Sequence, residues 1–173
     1  MFYGKPRSWI NQPYLWLGLV VLLLSCSLGW QPVQSESPPG GPAIAGQPQS
    51  LPIEAVATID TTRINLEVAR TPDQQELGLM HRTALADDQG MLFPFQPPRP
   101  VGFWMKNCLI SLDIVFMRLG KVVAIAANSP PCTEEPCPIY PSGAPIDQVI
   151  ELRGGRAAEL GLKIGDPIGI EFL

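Results

Sequence analysis

The sequence predicts a mainly β domain, a β-sandwich or partly open barrel with one or two short helices. Three observations predict it. From residue 55 onward, short runs rich in β-branched and aromatic residues recur between Pro, Gly and Asn. Only two stretches carry helix signals, and both are short. The spacing of the short runs, with a turn signal after each, matches all-β sandwiches and barrels.

Residues 55–59 and 64–69 read as the first two strands. In the second, Ile64, Leu66 and Val68 alternate onto one face. Asp60, Thr61 and Thr62 supply the turn between them. Thr71 then opens a helix: it can cap, Pro72 fits the first helical position, and Gln74 completes a capping box. Leu77 and Met80 fall on one helical face, and Gly78 weakens the helix and permits close packing. Further strands are predicted at 91–95, 101–106, 112–118, 121–127 and 148–152, with Leu119 and Gly120 as a tight hairpin turn. A short helix at 156–160 and a strand at 168–172 close the domain. The stretch 157–166 is similar to the middle of a PDZ domain, but the strands and helix that would have to follow are missing from the remaining residues. A helix stopped at Gly161 and a turn at Gly165-Asp166 account for it.

The first thirty residues read as a targeting segment. Lys5 and Arg7 form a positive start, and residues 14–24 are an almost unbroken apolar run. That run is short beside the ~20 residues of a membrane span. Leu23-Leu24-Ser25-Cys26 is similar to a bacterial lipobox, with Cys26 as lipid acceptor, although Leu24 stands where a smaller residue is commoner. An uncleaved anchor and cleavage to a soluble form are the alternatives. All three place the domain outside the cytoplasm, and membrane attachment through a lipid or anchor is the expected arrangement. Residues 31–53, with six prolines and three glycines, read as a disordered linker. Residues 54–173 form the domain. The net charge is −4 and would be −6 after loss of residues 1–25, which carry Lys5 and Arg7 and no acid. No basic stripe is visible, so nucleic acid is not an expected partner.

Three signatures fall in order along the domain: Glu76-Leu77-Gly78-Leu79-Met80-His81-Arg82, Gly90-Met91-Leu92-Phe93-Pro94-Phe95, and Gly102-Phe103-Trp104-Met105-Lys106-Asn107-Cys108 followed by Leu112-Asp113-Ile114-Val115-Phe116. Together they resemble the bacterial and archaeal envelope family called domain of unknown function 192, from about residue 55 to the C-terminus. The resemblance implies a jelly-roll-like architecture. It implies no activity.

Charged groups set among these apolar runs need partners if buried. Alternation puts Leu112, Ile114 and Phe116 on one face and Asp113, Val115 and Met117 on the other. If 104–106 and 112–114 form a hairpin, Lys106 and Asp113 meet across it. The expected site is then a polar mouth of Arg82, Trp104, Lys106, Asn107 and Asp113. Lys106 and Arg82 would hold an anionic or sugar-like ligand, Trp104 would stack on it, and Asp113 would orient the cations. The plainer account is an ion-pair network pinning the loops, with Glu151 among its apolar neighbours as a further member.

Other chemistry has weaker support. Cys108 and His81, the lone histidine, could form a nucleophilic dyad only if they meet; a small buried thiol is the plainer reading, and the resembled family often carries Thr at this place. Asp113 and Glu151 could serve as paired carboxylates, though their spacing points nowhere specific. Cys132 and Cys137 are expected to form a disulfide in an exported domain, stiffening the Pro-rich connection 128–147. Unpaired thiols, or a metal site with Glu134 and Glu135, are the alternatives, and structural zinc would lack half its ligands. Met80, Met91, Met105 and Met117 could ligate Cu(I), but core packing explains their scatter better. No cofactor or metal is expected. The leading expectation is a non-catalytic module binding a small ligand or a partner in the cell envelope. An enzyme acting on a glycan or peptidoglycan-like substrate, with Asp113 or Glu151 as acid or base, is the second. A structural or assembly partner is the third.

Overall fold

The computed structural model describes residues 46–173. The targeting segment 1–30, Cys26 and linker residues 31–45 lie outside the described residues. The elements, in order, are β1 (Ile53–Ile59), β2 (Thr62–Val68), α1 (Pro72–Leu77), β3 (Gln89–Arg99), β4 (Gly102–Trp104), β5 (Leu112–Arg118), β6 (Lys121–Ser129), β7 (Ile139–Pro141), β8 (Ile146–Arg153), α2 (Arg156–Glu159) and β9 (Gly169–Phe172).

Seven strands form one sheet in the order β6-β5-β8-β3-β2-β1-β9, and β4 pairs with β7 in a separate ribbon. All pairs are antiparallel except β2–β3, which α1 joins as a crossover. The large sheet curls into a half-barrel. At one corner it is stitched shut: the Val122 N–H donates to Asp166 O (3.0 Å), and the Ile168 N–H donates to Gly120 O (2.9 Å). These bonds tie the approach to β9 to the start of β6, the two ends of the strand order. The fold is thus the mainly β, partly open barrel that the sequence predicts, with two short helices.

The alternation in the strands produces two cores, one on each face of the sheet. Ile64, Leu66, Leu92, Val115, Met117, Ile150 and Leu152 fill the barrel interior. Met91, Phe93, Ile114, Phe116 and Val149 point outward and are roofed by the segment after α1 and by the β4–β7 ribbon. Phe103 of the ribbon packs edge-on against Phe93 and Phe116, with ring centroids 5.1 and 5.9 Å away. Because both faces of β5 and β8 are covered, their sequences read as continuous apolar runs broken only by meaningful polar residues.

Local signals act as predicted. Thr71 caps α1 and forms the capping box with Gln74. Leu119 and Gly120 both adopt positive φ, 50° and 72°, as a two-residue hairpin turn requires. Gly90 is needed for a different reason: a Cβ there would lie 2.7 Å from Glu151 O and 3.0 Å from Leu66 and Leu152 side-chain carbons. Only glycine lets β3 lie between β2 and β8.

Three features depart from the sequence reading. The ribbon strand β7 lies inside what reads as a Pro-rich connection. β4 pairs with β7 and β5 with β6 and β8, so no hairpin joins 104–106 to 112–114. The end of the predicted disordered linker is fastened to the domain: the Leu51 N–H donates to Glu67 Oε2 (2.7 Å), and Gln49 Nε2 donates to Gln74 O and Gly78 O (both 2.8 Å). Composition made that stretch look unable to order itself, but buried carboxylate and carbonyl acceptors on the domain hold it.

Candidate functional site

Strand register lines up a row of side chains across the outer face. Glu67 on β2 stands beside Met91 on β3, Met91 beside Glu151 on β8, and Glu151 beside Ile114 on β5. Registered neighbours share a face, so two carboxyl groups occupy one row under the segment that follows α1. They are treated very differently.

Glu67 is gripped by Arg82. Nη1 donates to Oε1 at 2.7 Å and Nη2 to Oε2 at 2.6 Å, a bidentate pair with both side chains nearly buried. The same Nη2 donates to Gln49 O at 2.8 Å. Arg82 thereby closes the segment after α1, the end of the linker and β2 into one joint.

Glu151 has no such partner. Among the described residues its Oε2 is buried without a hydrogen bond, facing Gly78, where a Cβ would stand 3.7 Å away. Burial raises its carboxyl from 4.5 to about 8, against the pull of the Arg82 charge. At neutral pH Glu151 is therefore mostly a neutral acid, which can both donate and accept. It borders a recess of about 30 Å³ together with Gln75, Gly78, Met80, Phe93, Phe103, Trp104 and Cys108. That volume fits one water-sized polar group and no more. Gly78 (φ 47°) turns the chain away at the end of α1 and leaves the recess open beside the carboxyl.

The five residues of the expected mouth divide. Trp104 borders the recess and is 39% exposed, since Phe103 takes the inward position on β4. Lys106 Nζ stands 5.3 Å over the Trp104 ring and pairs with Glu135 Oε1 at 3.0 Å. Asn107, at φ 55°, accepts the His81 N–H at 2.9 Å and sets its amide near Met80 Sδ, 3.8 Å. The first and third signatures thus meet at Met80, His81 and Asn107, with Arg82 next in the chain.

Asp113 lies elsewhere. Its side chain points to the barrel-interior face, on the other side of the sheet from the β4–β7 ribbon, and is fully buried. Oδ1 accepts from Asn128 N (2.6 Å) and Gly155 N (3.0 Å), and Oδ2 from Ala157 N (2.6 Å). It ties the end of β6 to the start of α2. The Lys106–Asp113 pair expected from a hairpin does not form, because β8 and β6, not β4, flank β5. Sequence alternation had already put Asp113 opposite Ile114 and Phe116; what it lacked was the pairing partner of β5.

Glu151 lay outside the expected mouth, yet it is the one acid of the row with an unpartnered oxygen. A lone Glu between Ile150 and Leu152, on a strand buried on both faces, was the signal available.

Cys132 and Cys137 form a disulfide, with Cα atoms 5.6 Å apart. The Cys132 N–H donates to Met105 O (3.1 Å) and the Cys137 N–H to Glu135 Oε2 (3.2 Å), so Lys106 and Met105 hold the small loop against the ribbon. Cys108 is a buried free thiol, pushed up to about 12 by burial and then by the nearby Glu151. Among the described residues no hydrogen bond links it to the His81 ring, and a thiol so raised supplies no thiolate at neutral pH. Met80, Met91 and Met105 pack on the outer face and Met117 in the barrel interior. No group of three His, Cys, Asp or Glu side chains suited to a metal occurs among the described residues.

The DUF192 family, described as uncharacterized ACR, matches residues 55–170. The chain belongs to this family. Two solved structures are similar to it. One is a candidate transcription regulator from Sinorhizobium meliloti 1021, 37% identical, with 67% of this chain and 92% of that one covered and a TM-score of 0.62. The other is a protein of unknown function from Novosphingobium aromaticivorans DSM 12444, also 37% identical, covering 75% and 99%, with a TM-score of 0.61. No curated protein matches the chain. The three signatures of this DUF192 domain supply Gly78, Met80, Arg82, Gly90, Phe93, Phe103, Trp104, Asn107 and Cys108, which surround the carboxyl row.

Proposed function

We propose that this DUF192 domain is a non-catalytic binding module, held outside the cytoplasm by its N-terminal segment. Its ligand is a small molecule or chain end that presents a polar tip to the Trp104 recess. One observation carries the reading: the buried Oε2 of Glu151 has no partner among the described residues, at the edge of a recess flanked by an exposed Trp104. A protonated carboxyl there can donate to a carbonyl or hydroxyl, while the indole covers the apolar side of the same ligand. A pocket with a few convergent polar groups is the usual form of a binding site.

The carboxyl groups do not favour catalysis. Asp113 is enclosed and saturated by three backbone amides, and Glu67 is neutralised by Arg82. Among the described residues, Glu151 then has no second free carboxyl in its row with which to divide proton transfers. The description as a transcription regulator belongs to the Sinorhizobium protein; the acidic balance of this chain, net −4, does not favour a nucleic-acid partner. A protein partner is a second reading, favoured by Trp104 and Ile139. They stand opposite one another in the β4–β7 ribbon and are 39% and 57% exposed.

Native mass spectrometry of the full-length protein, extracted gently from its own envelope, tests the proposal. A bound small-molecule mass that disappears on denaturation, and is lost in Trp104→Ala, is the expected result. A bare protein in which neither Trp104→Ala nor Ile139→Ser changes the recovered complexes would sink both readings.

A further inference from the structure

A larger concavity of about 790 Å³ opens where β3 and β8 part. Pro94 still pairs with Gln148, but the register slips before Arg99 meets Ile146. Pro94, Pro97 and Pro98 lack the N–H groups that would continue the ladder, so the strands splay. The volume falls within the ~300–1,000 Å³ usual for small-molecule sites. Gln75 alone borders both this groove and the Trp104 recess.

The lining is rich in primary amides. Gln75 uses both amide hydrogens on Ala69 O (3.1 Å) and Pro94 O (3.0 Å), leaving its oxygen to accept. The amides of Gln96 and Gln148 have no side-chain hydrogen bond among the described residues. Of the charged groups, Arg70 is paired with Glu54 at 2.9 Å, and Asp147 with Arg118 at 3.3 Å through Oδ2, its Oδ1 being buried without a hydrogen bond among the described residues. Arg99 has no carboxylate partner among the described residues. It lies over the Phe95 ring, 4.9 Å from its centroid, with its donors unspent. The groove therefore carries one uncompensated positive charge among groups that both donate and accept.

We infer that this groove binds a polyhydroxylated monoanion: a sugar acid, free or at the end of a glycan. Arg99 takes the carboxylate, for which a guanidinium fork is suited. Gln75, Gln96 and Gln148 take the hydroxyls, since each hydroxyl is at once donor and acceptor, as a primary amide is. Half-exposed Phe172, with the Arg70 guanidinium over one face of its ring at 5.4 Å, closes the apolar side of the groove. The prolines of the wall supply no backbone donors, which disfavours an extended peptide as occupant.

The test is calorimetric titration of the full-length protein in detergent with three probes: glucuronate, a trisaccharide ending in glucuronate, and the same trisaccharide ending in glucose. The acidic trisaccharide or free glucuronate is expected to bind at least about tenfold tighter than the neutral one, the effect of a charged hydrogen-bond pair. Arg99→Gln, at an exposed position, should erase that preference and leave the neutral affinity unchanged. Gln148→Ala should weaken acidic and neutral sugars alike. Equal binding of glucuronate and the acidic trisaccharide assigns the site to the free acid, and tighter binding of the trisaccharide assigns it to a glycan end; both support the inference. Absence of binding by either acid, or a preference that survives Arg99→Gln, overturns it. Neither failure touches the Trp104 recess, whose test reads Trp104.

Discussion

Arg82 and Glu151 lie close enough for the guanidinium charge to act on the carboxyl, yet Arg82 spends both arms on Glu67, two strands away in the same row. One cation thus stands near two buried acids, clasping one with both arms and leaving the other short of a partner. The arrangement separates a structural acid from a free one.

Removing Arg82 should be far worse than removing the pair. Arg82→Met strands a buried Glu67 carboxylate and is expected to lower stability by roughly 3–5 kcal/mol. Arg82→Met with Glu67→Leu should recover most of that loss. Urea denaturation of the single and double variants checks it.

Glu151 should make the domain less stable as pH rises. The unfolded chain releases this proton near 4.5 and the folded one near 8, so between those values the folded state binds more protons. Its stability falls through that window, by on the order of 3–5 kcal/mol from this group, and levels off above about 8. Glu151→Gln should flatten the dependence and be more stable than the natural chain at pH 8. Denaturation midpoints at pH 5, 6.5 and 8 decide it. A natural chain no less stable at pH 8 than at pH 5 would contradict the burial argument.

Asp113→Asn keeps the shape but loses an acceptor, leaving the Ala157 N–H or the Asn128 and Gly155 N–H groups unpaired. A loss of about 2–4 kcal/mol is expected. Amide exchange at Gly155 and Ala157 should quicken first, because α2 is a single turn held by those bonds.

Cys108 should resist alkylation. With its thiol pushed up to about 12, iodoacetamide at pH 8 should leave the Cys108 peptide unmodified in the folded protein and label it fully in urea. Peptide mass mapping reads the result; rapid labelling of the folded chain would show the thiol to be accessible.

The strands were legible because their periodicity is local: β1, β2, β5, β6, β8 and both helices lie within a few residues of where alternation and capping place them. The ribbon strand β7 was not, because Ile139-Tyr140-Pro141 is too short for a period and is bounded by prolines. The candidate site was half legible. Trp104 borders the recess, while Arg82 and Asn107 stand behind its wall, where their signatures meet at His81 and Asn107. Asp113 was misplaced because the partner of a strand is a long-range fact, and the sequentially nearest strand was not it. Glu151 was legible as an ion-pair member or a candidate acid or base, but nothing local says that its oxygen is left without a partner. Gln49 was hidden in a linker composition, and nothing local says that Arg82 reaches it.

The pairing of β1 with β9 sets Ala55 against Phe172. During synthesis the first strand of the barrel therefore waits, one edge unsatisfied, until nearly the whole domain has been made. Long-range closure of this kind slows folding and exposes an adhesive border in the interim. A chain that reaches its compartment unfolded would gain from a companion that shields that border until the last strand arrives.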